Sequence, residues 1–347
     1  MTARPLLSVE NLRKDFSSGR WFARSRKQVH AVDDVSFSVT DGETLGLVGE
    51  SGCGKTTLGR ILVRLIDPTS GAVYFQGKDI FKANKKQIRT LRREIQIVFQ
   101  DSLASLNPRK TVQKILAQPF LTHRLLTKDK VEEKVEELLE QVGISPPQLY
   151  MDRYPHEFSG GQRQRIAIAR AIALKPKLLV ADEPVSALDV SVRSQVLNLM
   201  KKLQKELGLT YLFISHDLTV IRAISDRVAV MYLGKVVEES TVRDLFERPL
   251  HPYTIALLSS IPPPDPEQAR KIERNIPNSD IPSPMNLPSG CRFHTRCHYA
   301  VEKCHAIEPP LEEVRNGHLV ACHLTAEIES KNALLKSMHF QFEALNQ

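Results

Sequence analysis

Gly49-Glu50-Ser51-Gly52-Cys53-Gly54-Lys55-Thr56, with Thr57 behind it, decides how the chain is read. The stretch fits G-x-x-x-x-G-K-[ST], a loop whose backbone N–H groups wrap the phosphates of a nucleotide. Thr44–Val48 before it reads as a buried strand, and Leu58–Leu62 after it reads as helix. A loop so placed opens onto a helix N-terminus, where orphan N–H groups and the helix dipole favour anions. Gly52 and Gly54 allow close backbone approach. Lys55 neutralises the β- and γ-phosphates, and the Thr56 hydroxyl is placed to ligate Mg²⁺. Gly49, Ser51, Cys53 and Thr57 complete the expected nucleotide contacts. Taken alone, the pattern has one competitor, a Gly-rich turn that happens to precede a lysine.

At 347 residues the chain exceeds a usual single core, so two or three domains are expected. Hydrophobic content of 41% and charged content of 25% are those of an ordinary globular protein, which excludes a disordered or fibrous class. No apolar run approaches the roughly 18 to 20 residues of a membrane span. The N-terminus has no apolar signal region. The expectation is a cytosolic chain that reaches a membrane only through partners. The net charge of +8 allows an anionic partner. Its basic clusters, Arg20, Arg24, Arg26 and Lys27, then Lys82, Lys85, Lys86, Arg89, Arg92 and Arg93, read first as solvated faces.

Outward from the loop, Leu7–Leu12 and Val35–Val39 read as strands, and Asp41-Gly42 as a hairpin turn into the strand before the loop. Ala72–Gln76 and Ile95–Phe99 are further strands, the second ending at Gln100. From Asp101 the pattern turns helical, with Val131, Val135, Leu138, Leu139 and Val142 on one face and Gly143 as the stop. Lys177–Asp182 returns to a continuous apolar strand of the parallel-sheet kind. Val196, Leu199, Met200 and Leu203 mark a helix before the strand Tyr211–Ser215. Arg227–Met231 and Lys235–Glu239 form a closing hairpin about Leu233-Gly234. Beyond 240, Pro262, Pro263, Pro264, Pro266, Pro277, Pro282, Pro284 and Pro288 stiffen an extended segment.

Two more stretches carry chemistry. Leu178–Glu183 ends a buried strand in two acids: Asp182 suits Mg²⁺, and Glu183 can polarise a water as general base. Phe158-Ser159-Gly160-Gly161-Gln162 opens a strongly helical run, a second anion-binding helix start without a lysine. Two such sites in one chain suit a protein that clamps nucleotide between two subunits.

On these residues the chain resembles the ATP-binding subunit of an ABC transporter, over about residues 6 to 240. Phe158–Gln162 is similar to the family's signature sequence, with Phe for the usual Leu, so Ser159, Gly160, Gly161 and Gln162 would contact a partner's ATP. Gln100 resembles the glutamine that senses Mg²⁺ and the membrane subunit; with Thr56 and Asp182 it would hold the metal. Ser186–Asp189 resembles the loop that crosses the dimer interface, and His216 the switch histidine on the γ-phosphate. Phe16 stands where the family stacks an aromatic on adenine; Trp21 and Phe22 lie nearby, and a core role for Phe16 is the alternative.

The implied fold is α/β: a P-loop NTPase (ABC ATPase) core with an antiparallel β edge and a helical subdomain, plus a small C-terminal cysteine-bearing domain. Residues 1–100 and 172–240 would form the RecA-like core and 101–171 the signature subdomain. Residues 241–330 would carry the prolines and cysteines, and 331–347 a tail.

Within the family, Ser105–Arg109, Glu183–Ser191, His251–Thr254 and Cys291–Cys297 are similar to dipeptide and oligopeptide importers, closest to the F-type of their paired ATPases. That branch implies a heterodimer with a homologous ATPase, two transmembrane permease subunits and, indirectly, a substrate-binding protein. It would place the chain at the cytoplasmic face of the membrane, with no nucleic acid bound. Nickel or oligosaccharide import is the alternative cargo. A soluble ABC protein acting on nucleic acid or ribosomes is the rival class.

Four of the five cysteines lie in the last sixth of the chain. Cys291, Cys297, Cys304 and Cys322 are separated by 5, 6 and 17 residues, wider than short zinc knuckles. An iron–sulfur cluster, zinc and unliganded thiols all stay open on spacing; a disulfide is disfavoured in a reducing compartment. The resemblance implies a 4Fe–4S cluster, with Zn²⁺ as the alternative. Cys53 reads as a small residue tolerated by the loop, against a reactive thiol.

Overall fold

A computed structural model of the chain describes residues 5–18, 27–261 and 282–331, except the side chains of 18, 27, 128, 129 and 331. Trp21, Phe22 and the arginines around them, the prolines from 262 to 277, and the tail from 332 lie outside the described residues.

Two sheets organise the rest. β1 (Leu7–Ser18), β2 (Lys27–Val39), β4 (Ser70–Phe75) and β5 (Lys78–Asp79) form an antiparallel sheet in the order β2-β1-β4-β5. The second sheet contains β3 (Thr44–Val48), β6 (Ile95–Val98), β7 (Leu178–Asp182), β8 (Thr210–Ser215), β9 (Arg227–Tyr232) and β10 (Lys235–Thr241). β11 (Glu312–Arg315) and β12 (His318–Val320) complete it in the order β11-β12-β10-β9-β3-β8-β7-β6. β6, β7, β8, β3 and β9 run parallel, whereas β10, β12 and β11 are antiparallel.

The central strands are buried along their whole length, as their unbroken apolar runs require when both faces are covered. One face packs on the small sheet through Leu7, Val35, Leu45, Leu47, Leu58 and Ile61. The other packs on helices. α1 (Lys55–Leu62) follows β3, and α2 (Lys85–Glu94) precedes β6. Between β6 and β7 come α3 (Ser102–Ser105), α4 (Val112–His123), α5 (Lys128–Gln141) and α6 (Gly160–Ile172). α7 (Val190–Leu207), α8 (Leu218–Ile224), α9 (Val242–Glu247) and α10 (Pro252–Ser259) follow. α5 stops as expected: Gly143 donates its N–H to Glu140 at 2.9 Å with φ of 73°. The basic helix α2 buries no residue, so its Lys and Arg side chains make a solvated face.

Asp41-Gly42 does not close a hairpin. β2 belongs to the small sheet and β3 to the large one, so the turn carries the chain from one sheet to the other. Turn chemistry sets local direction only; here Thr210 receives the Gly42 N–H at 2.8 Å and holds the turn against β8 instead of β2.

The cysteine-bearing stretch is joined to this core. β12 pairs with β10, and Glu238 on β10, wholly buried, accepts from the N–H groups of Leu250 and His251 and contacts His318 Nε2 at 2.8 Å. Among the described residues no helix is long and apolar enough to cross a membrane.

Candidate active site

Parallel pairing brings several strand ends to one edge of the large sheet. Val48 lies opposite Ser215 on β8, Asp182 opposite Ile214, and Val98 opposite Ala181. The segments leaving β3, β6, β7 and β8 therefore emerge together, the position where open α/β sheets place ligands. They are the phosphate loop, Gln100, Glu183 and His216.

The loop is squeezed between two backbones. A Cβ on Gly54 would lie 1.9 Å from the Ala31 carbonyl of β2, and one on Gly49 would lie 2.1 Å from the Met231 carbonyl of β9. Gly54 also has φ of 108°, so only glycine fits this helix start. Lys55, 4% exposed, donates to the carbonyls of Gly49 at 2.7 Å and Glu50 at 2.9 Å, which curls the loop around the ammonium. Cys53 is buried with its Sγ 3.7 Å from Lys55 Nζ, and burial pushes its thiol above the usual range. A neutral, enclosed thiol fits the packing role.

Thr56 Oγ1 donates to Asp182 Oδ1 at 3.0 Å. Burial raises the Asp182 carboxyl, with the Thr56 hydrogen bond opposing it. A hydroxyl beside a carboxylate is the hard-oxygen pair that suits Mg²⁺. Glu183 sits at φ of 49°, an uncommon left-handed backbone for a non-glycine residue. Its Oε2 accepts from Gln100 Nε2 at 2.9 Å and lies 3.1 Å from His216 Nδ1. One carboxylate oxygen is thus held between two polar side chains. The three line the same cleft as residues 49–52 and 54–57, a space of about 590 Å³.

Ser159, Gly160, Gly161, Gln162 and Asp189 do not line that cleft. Ser159 caps α6 in a reciprocal box with Gln162, while Phe158 is buried beside Tyr150, which explains the tolerance for Phe there. Asp189 stands at the N-cap position of α7 without a side-chain cap hydrogen bond and is exposed, and Val190 next to it is 76% exposed. Phe16 is 40% exposed on β1 with Lys14 Nζ 5.2 Å from its ring centroid. It stands outside the core and pairs across the sheet with Val29, which lines the cleft.

The four C-terminal cysteines face one small cavity, together with His251 and His294. The Cys291 N–H donates to the Cys304 carbonyl at 2.9 Å. Burial is the largest influence on Cys291, Cys297 and Cys322 and raises all three thiols, Cys297 to about 11 and Cys322 to about 12. The donors match a thiolate-bound group in kind and line one cavity. Among the described residues, however, no group of three or more His, Cys, Asp or Glu is set to hold a metal ion.

Several cleft residues carry no signal in the sequence for this site: Val29 and Ala31 of β2, Leu257 of α10 and Pro284. Also unforeseen are Tyr253, whose hydroxyl accepts the Glu50 N–H at 2.8 Å, and Arg296, which grips the Glu50 side chain. The one available signal was an arginine conspicuously placed among cysteines.

Comparisons with known proteins point to one family. The family model described as ABC transporter matches residues 32–186, and that described as Oligopeptide/dipeptide transporter, C-terminal region matches 237–304. The chain is similar to the putative oligopeptide transport ATP-binding protein YkfD of Bacillus subtilis (strain 168), 52% identical over 95% of this chain and 99% of that one. The oligopeptide transport ATP-binding protein AppF of the same organism is 54% identical over 92% and 97%. Among solved structures, the ATP-binding cassette MJ0796, a dimer in a post-hydrolysis state with ADP and Pi, superposes with a TM-score of 0.61. That cassette is 28% identical, over 68% of this chain and 99% of its own.

Gly54→Ala places a methyl group against the Ala31 carbonyl in a backbone that alanine resists. The variant should keep its circular-dichroism spectrum and lose ATP affinity by about 100-fold or more. Wild-type affinity would show that the loop does not need this close approach.

Proposed function

The chain belongs to the ABC transporter family of ATP-binding proteins, and we propose that it is the subunit whose ATP binding and hydrolysis drive uptake of di- and oligopeptides. The observation that carries the catalytic reading is Glu183, held between Gln100 and His216 across the cleft from the phosphate loop. Its relatives' names, both oligopeptide transport ATP-binding proteins, support the cargo.

In this reading the loop N–H groups and Lys55 bind the nucleotide's phosphates, with Phe16 against the adenine. Ser51, Gly52, Cys53, Gly54 and Thr57 shape the cradle. Thr56, Asp182 and Gln100 would hold Mg²⁺, which screens phosphate charge when bound. Glu183 takes the proton of the attacking water, and His216 orients that water and the γ-phosphate. Catalysis here is positioning plus charge stabilisation, so a rigid cradle serves it directly.

The cleft is half of a composite site. Ser159–Gln162 and Asp189 stand away from it, which suits contacts to the nucleotide of a second, homologous ATPase subunit. Residues 1–100 and 172–240 act as the ATP-binding core and 101–171 as the arm that presents the signature. The segment after Gln100 meets two permease subunits at the cytoplasmic face of the membrane, and a substrate-binding protein delivers cargo on the far side. In the 241–330 region, Cys291, Cys297, Cys304 and Cys322 would hold a 4Fe–4S cluster, which would supply a structural or redox centre when bound; zinc is the competing occupant.

Glu183→Gln keeps the carboxylate's shape and removes its basicity. The variant should bind Mg-ATP as wild type does while hydrolysis falls about 100-fold or more; undiminished turnover would place the base elsewhere. The full chain purified without oxygen should be brown and contain acid-labile sulfide, and each of the four Cys→Ser variants should bleach it. A colourless protein with stoichiometric zinc would refute the cluster.

A further inference from the structure

Glu50 is an acidic residue inside a loop that must receive a polyanion. The residue lines the cleft, and its side chain is 24% exposed. A carboxylate there repels the phosphates, and in a partly buried site the repulsion is weakly screened. The fold answers from 246 residues away. Arg296 Nη1 donates to Glu50 Oε2 at 2.9 Å and Nη2 donates to Oε1 at 3.0 Å, a two-pronged pair. The arginine is 8% exposed, its guanidinium 5.8 Å from the Tyr232 ring centroid and 5.7 Å from that of Phe293. Such stacking fixes the plane of the fork, something a lysine could not reproduce.

The contact is one of several that seat the cysteine-bearing stretch on the loop. Tyr253 accepts the Glu50 N–H, and its ring packs 5.4 Å from Phe293. Arg292 bonds Asp33 and the Leu233 carbonyl, beside Gly234, whose N–H donates to the Cys53 carbonyl at 2.9 Å. Arg292 thus ties the stretch to the strands that frame the loop, whereas Arg296 alone of the two grips the loop's own acid.

We propose that Arg296 is a positioning residue for ATP: it cancels the charge of Glu50 and holds that side chain away from the phosphates. The inference rests on the ATP-binding reading of the cleft. Losing the guanidinium frees an acid at the site, so the defect should be cured by removing the acid as well. A merely structural role would lower the unfolding midpoint together with affinity, whereas free charge at the site weakens binding in a variant that unfolds at the wild-type midpoint.

The test titrates the fluorescent nucleotide mant-ATP with Mg²⁺ into the full chain and its variants, with unfolding midpoints recorded without nucleotide. Wild type should bind and Lys55→Ala should not; failure of wild type to bind would overturn the cleft reading itself. Arg296→Gln should weaken binding about tenfold, and the double variant Glu50→Gln/Arg296→Gln should return to within about threefold of wild type. If Arg296→Gln fails to fold, Arg296→Lys, which keeps charge and loses the fork, should show a smaller weakening in the same direction. Unchanged affinity in a folded Arg296 variant overturns the proposal, and so does a double variant as weak as Arg296→Gln.

Discussion

Everything at the active edge depends on how tightly the phosphate loop is enclosed. Two carbonyls, from Ala31 on one sheet and Met231 on the other, press on Gly54 and Gly49 at distances that exclude any side chain. The small sheet is therefore more than a cover for hydrophobic strands. Its strand β2 supplies one wall of the loop, Ala31, and one wall of the cleft, Val29. With the loop so held, Lys55 and Thr56 leave α1 in fixed directions, and Thr56 meets Asp182 from β7. Nucleotide then meets a cradle whose ordering cost is already met in folding.

The same rigidity explains where the strain sits. Glu183 leaves β7 in a left-handed backbone, stabilised by its N–H on the Ile214 carbonyl and by Ser186 on its own carbonyl. That turn swings the carboxylate back between Gln100 and His216 instead of along the strand. It also sends residues 186–189 outward to the start of α7, where Asp189 and Val190 are exposed. One distorted residue thus sets both the proposed base and the segment proposed to face a partner.

Much of this was legible in the sequence because it is local. Unbroken apolar runs such as Leu178–Ala181 report strands covered on both faces, and the glycine and lysine spacing of the loop reports its own geometry. The order of the acid, glutamine and histidine could be read because each follows an apolar strand directly. What was not legible is set by distant partners. Asp41-Gly42 has hairpin chemistry, yet which sheet receives the next strand depends on Leu45 and Leu47 finding β8 and β9. The addition of β12 to β10 depends on a buried glutamate, Glu238, accepting three donors, and nothing in the run His318–Val320 announces it. Arg296 reads as one more basic residue until Glu50 is placed beside it. For the cysteines, the sequence showed number and spacing, and the fold adds a shared cavity.

In the proposed assembly this chain carries half of each ATP site, and a second ATPase subunit completes it. The most direct measurement is specific ATPase activity, per mole of chain, against protein concentration, repeated with the homologous subunit added. Completion by a second chain predicts specific activity that rises with concentration or on adding the partner, and that collapses when Ser159 of this chain is replaced by Arg. A specific activity that stays constant down to the lowest measurable concentration, indifferent to the partner and to Ser159, would contradict it.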